Sequence, residues 1–196
     1  MLTFAAAVFF LIITPGPGVL STAGVGASFG RGTGLRYVLG LFLGTNLVAA
    51  AVVSGLAALV LAEPQLRTVL FAISFAYLVY LAFRIAFAGS KLAFIERATP
   101  PGVSGGILLQ IMNPKAYAVN TALYTGFGFM PANYWVEMLA KFLIMNAIWI
   151  PIHLLWLWVG IKVHQLYLSP RTHSIINKAM AVSMLLVVLL AGSELL

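Results

Sequence analysis

The sequence predicts an all-α integral membrane protein: about six transmembrane helices as two inverted three-helix repeats, each with a broken first helix. Three observations carry this. Of the 196 residues, 62% are hydrophobic and 8% charged, where a soluble domain has about a quarter charged. So few charges cannot cover a soluble surface, and the bilayer is the expected solvent. The apolar residues also gather into about six stretches near the ~20 residues that a spanning helix needs. Finally, two of these stretches carry a helix breaker in mid-span, at corresponding places in the two halves.

The first stretch runs from Leu2 to Ala27 and holds the first break, Thr14-Pro15-Gly16-Pro17. The second runs from Leu35 to Ala62 and the third from Leu66 to Ala88. The longest connector, Gly89 to Ser104, contains Pro-Pro-Gly and several charges, and reads as the joint between halves 1–95 and 100–196 of a single transmembrane domain. The fourth stretch, Gly105 to Met130, holds the second break, Asn113-Pro114-Lys115. The fifth runs from Glu137 to Ile161 and the sixth from Ile175 to Ser193. No positive charge precedes the first apolar run, so the N-terminus reads as an uncleaved helix rather than a signal peptide.

Composition also excludes. There is no Cys, which removes disulfides and thiolate metal sites. There is no Asp and there are only four Glu, so neither a metal centre nor a cofactor is expected. The net charge of +7 is scattered between apolar segments and forms no nucleic-acid patch. One core His without Asp or Cys offers no nucleophile–base pair, so the chain does not read as an enzyme. The positives mark the cytoplasmic connectors instead: Arg31 and Arg36 in the first, Arg84, Lys91 and Arg97 around the third, Lys162, Arg171 and Lys178 around the fifth. The opposite side has only Arg67 and Lys141, near helix ends. Both termini are therefore expected outside the cytoplasm. Alkaline phosphatase fused after Leu196 should be active and a fluorescent protein there dark; the reverse would overturn the orientation.

The two breaks match in spacing. Thr14 and Asn113 are 99 residues apart, and Asn46 and Asn146, in the second and fifth helices, are 100 apart. Thr and Asn are good N-caps and Pro suits the first helical position, so each break reads as one helix stopping and another starting. Such a restart leaves backbone N–H groups unpaired, tolerable in a bilayer only inside protein or along a cavity. Paired discontinuous helices point to a transporter's substrate site, and half-helix N-termini suit a carboxylate.

The run Thr14 to Val19 (TPGPGV), the small-residue run Gly40 to Asn46 (GLFLGTN) and Asn113 to Tyr117 (NPKAY) resemble the LysE/RhtB family of amino-acid exporters over essentially the whole chain. The resemblance implies efflux of amino acids or derivatives across a bacterial inner membrane, usually driven by proton exchange. Its partners would be a small zwitterionic substrate, protons and the lipid bilayer; a homodimer is one arrangement open to it. In one respect the chain departs from the family. Members often have an acidic residue at or near the position of Asn46.

The candidate substrate-binding residues are Thr14, Pro15, Gly16, Pro17, Asn46, Asn113, Pro114, Lys115 and Asn146. Lys115, an expensive cation at mid-membrane, is a candidate for both the carboxylate site and proton relay, with snorkelling to the interface as the alternative. His153 is the second relay candidate, or a hydrogen-bonded packing residue. Asn46 and Asn146 either meet a substrate amine or join helices by hydrogen bonds. Gly40 and Gly44 have the GxxxG spacing of close helix packing. Phe75, Tyr77, Tyr80 and Phe83 read as lipid-facing or core packing. Two other functions remain open: efflux of a different small solute or ion by the same architecture, and a membrane-embedded protein that transports nothing.

Overall fold

A computed structural model describes residues 1–14, 16–56, 100–130 and 132–165 of the chain, and single positions between 63 and 87 and between 171 and 185. Every element among the described residues is a helix: α1 Leu2–Ile13, α2 Pro17–Val53, α3 Val103–Met112, α4 Pro114–Gly126 and α5 Tyr134–Gln165. The described positions from 65 to 86 are helical too, beginning one residue before the predicted third helix, and so are those from 171 to 185, which begin before the predicted Ile175 start and put Arg171 of the predicted connector in a helix. Phe75 and Tyr77 of the aromatic stripe, Pro15, and the connector charges Arg84, Lys91 and Arg97 lie outside the described residues. Tyr80 and Phe83 are exposed, as lipid-facing side chains would be.

Among the described residues, α2 and Tyr134–Lys162 of α5 are long and apolar enough to cross a membrane. The two predicted broken helices are present as pieces. With 12 residues, α1 spans about 18 Å at 1.5 Å per residue, a little over half of a ~30 Å hydrocarbon core. With 10 and 13 residues, α3 and α4 divide the second span in the same way.

The first connector is shorter than the sequence indicates. Helix α2 turns a corner at Gly30 (φ 74, ψ −173) and resumes at once, so Arg36 lies inside a helix. That backbone conformation belongs almost only to glycine. Helix α2 ends at Val53, within the predicted second helix, and Leu56 is helical again. Ser54 follows as the cap, and Gly55 (φ 78) donates back to Val52 O, a left-handed glycine termination. Residues 57–62 lie outside the described residues. The fourth span ends at Gly126, before Met130, and the fifth begins at Tyr134 and reaches Gln165.

Helix α2 packs on α3 and α5, while α1 lies against α5 and α4. The α2–α3 crossing is backbone on backbone. A Cβ on Gly40 would stand 2.0 Å from Val103 O, and one on Gly44 2.7 Å from Gln110 Cβ. Any side chain at Gly40 would force the helices apart, so the GxxxG pair serves α3. On the other side of α2, a Cβ on Gly160 would meet Ala23 O at 2.1 Å.

Two apolar clusters form the core. One gathers Leu20, Tyr37, Leu41, Leu109 and Leu157; the other gathers Phe4, Val8, Leu123, Met138 and Met145. Within the second lies a buried ion pair, Glu137 to Lys141 at 2.8 Å. Glu137 also accepts the Phe129 and Met130 N–H groups, and Lys141 donates to Tyr124 O at 2.9 Å and lies over the Phe4 and Phe129 rings. The pair thus ties the end of α4, the following loop, the start of α5 and α1 together. Lys141 is not the surface charge the loop count takes it for.

Candidate functional site

The two breaks meet. Lys115 Nζ donates to Thr14 O at 3.0 Å, across 101 residues of sequence, and a Cβ on Gly16 would stand 2.9 Å from Lys115 Cδ. Between them opens a cleft with about 480 Å³ of empty space, part of it open to the outside. Thr14, Gly16, Gly18, Asn113, Lys115 and His153 all line it. Along α5 its residues Met145, Trp149 and His153 fall between Met138 of one apolar cluster and Leu157 of the other.

The restarts are built differently. At the second, Asn113 is the N-cap as the sequence indicates: its Oδ1 accepts the Lys115 N–H at 3.1 Å, and Pro114 follows at the first turn. At the first, Thr14 does not cap the restarting helix. It closes α1, its hydroxyl donating back to Phe10 O at 2.6 Å. A Thr hydroxyl one turn beyond a carbonyl prefers that local bond. The N-cap of α2 is Gly16, in extended backbone, and Pro17 takes the first-turn position. Glycine has no side-chain oxygen, so no side chain caps the first turn of α2, while Gly18 and Val19 line the cleft. Of the two restarts, that of α2 has no side-chain cap, while α4 spends an N–H on its own cap.

His153 is buried, its ring stacked on Trp149 at 3.5 Å between centroids. Its Nδ1 is 3.0 Å from Trp149 O. A carbonyl only accepts, so Nδ1 carries a proton. Nε2 points the other way, and a Cβ on Gly18 would be 3.4 Å from it. That nitrogen lies beside Gly18, which also lines the cleft.

Asn46 and Asn146 bond each other. Each Nδ2 donates to the other's Oδ1, at 3.1 and 2.8 Å, and Asn46 Nδ2 also donates to Phe42 O. Neither side chain lines the cleft. The amides join α2 to α5, and the structure does not bring them to Lys115.

Three polar lining residues were missed. Gln110 is buried and accepts Asn113 Nδ2 at 3.0 Å; Asn120 is buried on α4, and Thr45 on α2. A signal existed. Gln110 stands three residues before Asn113 and Asn120 seven after it, the spacings at which polar residues return to the same side of a helix on either side of the break. No three His or Glu side chains gather to hold a metal among the described residues.

An apolar helical bundle whose two interrupted helices meet at a cleft lined by both apolar and polar side chains defines a class: helical membrane proteins built on broken helices. A model of the LysE type translocator family matches residues 9–194, and the chain belongs to that family. It is also similar to an uncharacterized membrane protein of Pseudomonas aeruginosa, 38% identical over 79 residues. That match covers 40% of this chain and 37% of the relative's length. No solved structure matches.

Proposed function

We propose that this chain is a secondary exporter of amino acids or their derivatives, moving them out across the bacterial inner membrane in exchange for protons. The observation that carries the reading is the meeting of Lys115 with the uncapped start of α2 at one cleft. A helix end and a fixed ammonium together favour a carboxylate. The family membership supports translocation; the proton exchange rests on the chemistry of Lys115 and His153, the ionisable side chains that line the cleft among the described residues. The termini lie outside the cytoplasm, a reading that rests on the crowding of Lys and Arg in the first, third and fifth connectors.

Purified protein in liposomes loaded with unlabelled L-leucine, L-threonine or L-lysine should accumulate the same labelled amino acid by counterflow. Failure with all three would sink the reading. An imposed pH gradient should drive uptake in the parent protein, and this response should vanish in a Lys115→Met, His153→Gln double variant. A gradient response unchanged in that variant would rule out both carriers.

A further inference from the structure

One residue that lines the cleft carries a buried acceptor oxygen without a donor. Asn120 is buried, 2% exposed, on α4. Its Nδ2 donates to Ala116 O at 2.7 Å, which fixes the orientation of the amide, since a carbonyl oxygen cannot bond a second oxygen. Its Oδ1 has no hydrogen-bond partner, and the residue lines the cleft. The other such buried atom among the described residues, Ser28 Oγ, belongs to a residue away from the cleft. A buried polar atom left unpaired is costly, and each one asks for an explanation.

The surroundings say what would satisfy it. The other amide oxygens at the cleft are engaged: Asn113 Oδ1 by the Lys115 N–H, and Gln110 Oε1 by Asn113 Nδ2. Among the described residues no carboxylate lines the cleft. A zwitterion held by its carboxylate at Lys115 and the α2 terminus would still have to bury its ammonium. An amide oxygen repels a carboxylate and accepts from an ammonium, so it can receive only that end. We propose that Asn120 Oδ1 is the acceptor for the solute's α-ammonium group and sets the solute's orientation in the cleft. This rests on the carboxylate reading above and adds the second end of the solute to it.

The test uses counterflow in proteoliposomes with L-leucine, L-threonine and L-lysine. Each is competed against its desamino acid: 4-methylpentanoic, 3-hydroxybutanoic and 6-aminohexanoic acid. In the parent protein the amino acid should compete about tenfold or more better than the desamino acid, the worth of one charged hydrogen bond. In Asn120→Leu that ratio should fall to about twofold or less, while preference for each amino acid over its amide persists. Asn120→Ala, which removes the acceptor without adding bulk, should lower the ratio in the same way, and it decides the matter if the Leu variant does not fold. A ratio unchanged in Asn120→Leu or in Asn120→Ala overturns the assignment even if the acid-over-amide preference stands. Loss of the acid-over-amide preference in the parent protein would instead bring down the carboxylate reading.

Discussion

Replacing Lys141 with Met should lower the melting midpoint of the purified protein on the order of 10 °C, more than the double change Glu137→Gln, Lys141→Met. The reason is what remains behind. Lys141 is 1% exposed and its partner Glu137 is itself buried. Removing the lysine leaves a buried carboxylate without its counter-charge and deprives Tyr124 O of a donor. Breaking a buried pair from one side is much worse than removing both charges together. The lysine also sits at the end of α4, where a cation complements the helix dipole, and over two aromatic rings. Thermal unfolding in detergent, followed by circular dichroism, gives the comparison. A double variant as unstable as the single one would show that packing of the lysine stem, and not the charge, holds this corner.

The second large effect concerns the solute. A free amino acid should compete for counterflow tenfold to a thousandfold better than its own amide. The range follows from the two groups that converge on the cleft. A helix terminus contributes up to ~2 kcal/mol in a partly buried geometry, and a charge-assisted hydrogen bond ~1.5–3 kcal/mol. At ~1.4 kcal/mol per decade these sum to that span. The lower end applies if only Lys115 reads the anion, the upper end if the first turn of α2 acts as well. Substituting Lys115 with Met should then reduce the preference without abolishing it. Equal competition by acid and amide would mean that the breaks serve as hinges and bind no anion.

The fold was legible in the sequence where periodicity and punctuation agreed. Pro114 marks a restart because a missing N–H costs nothing at the first turn of a helix, and Asn113 caps because its side chain is the right length to do so; at the first break the restart falls at Pro17, later than the Thr14-Pro15 pattern indicates. Thr14 misled because the same hydroxyl that can cap a following helix can close on the preceding turn; only the backbone decides between them. The corner at Gly30 was hidden because one glycine among many carries no mark of a positive φ. The Asn46–Asn146 pair was visible as an offset of 100, but its choice between solute and partner depends on which faces of α2 and α5 meet. Asn120 escaped notice because it lies past the proline that drew attention to its neighbours, although its spacing from Asn113 was there to be counted.

The paired amides of Asn46 and Asn146 bear on proton traffic. A carboxylic acid and an amide can form the same two-bond ring, with the acid O–H replacing one N–H donor. Such a ring holds only while the acid keeps its proton; on losing it, an anionic oxygen faces the Oδ1 of its partner and the ring opens. An amide pair cannot do this. Each Nδ2 permanently occupies the place of the acid's O–H, so this junction between α2 and α5 is chemically fixed in the form that an acid would have only when protonated. A site that could act elsewhere as a protonation-dependent latch is a permanent clasp in this chain, and any gating by protons has to act through groups that can still exchange them.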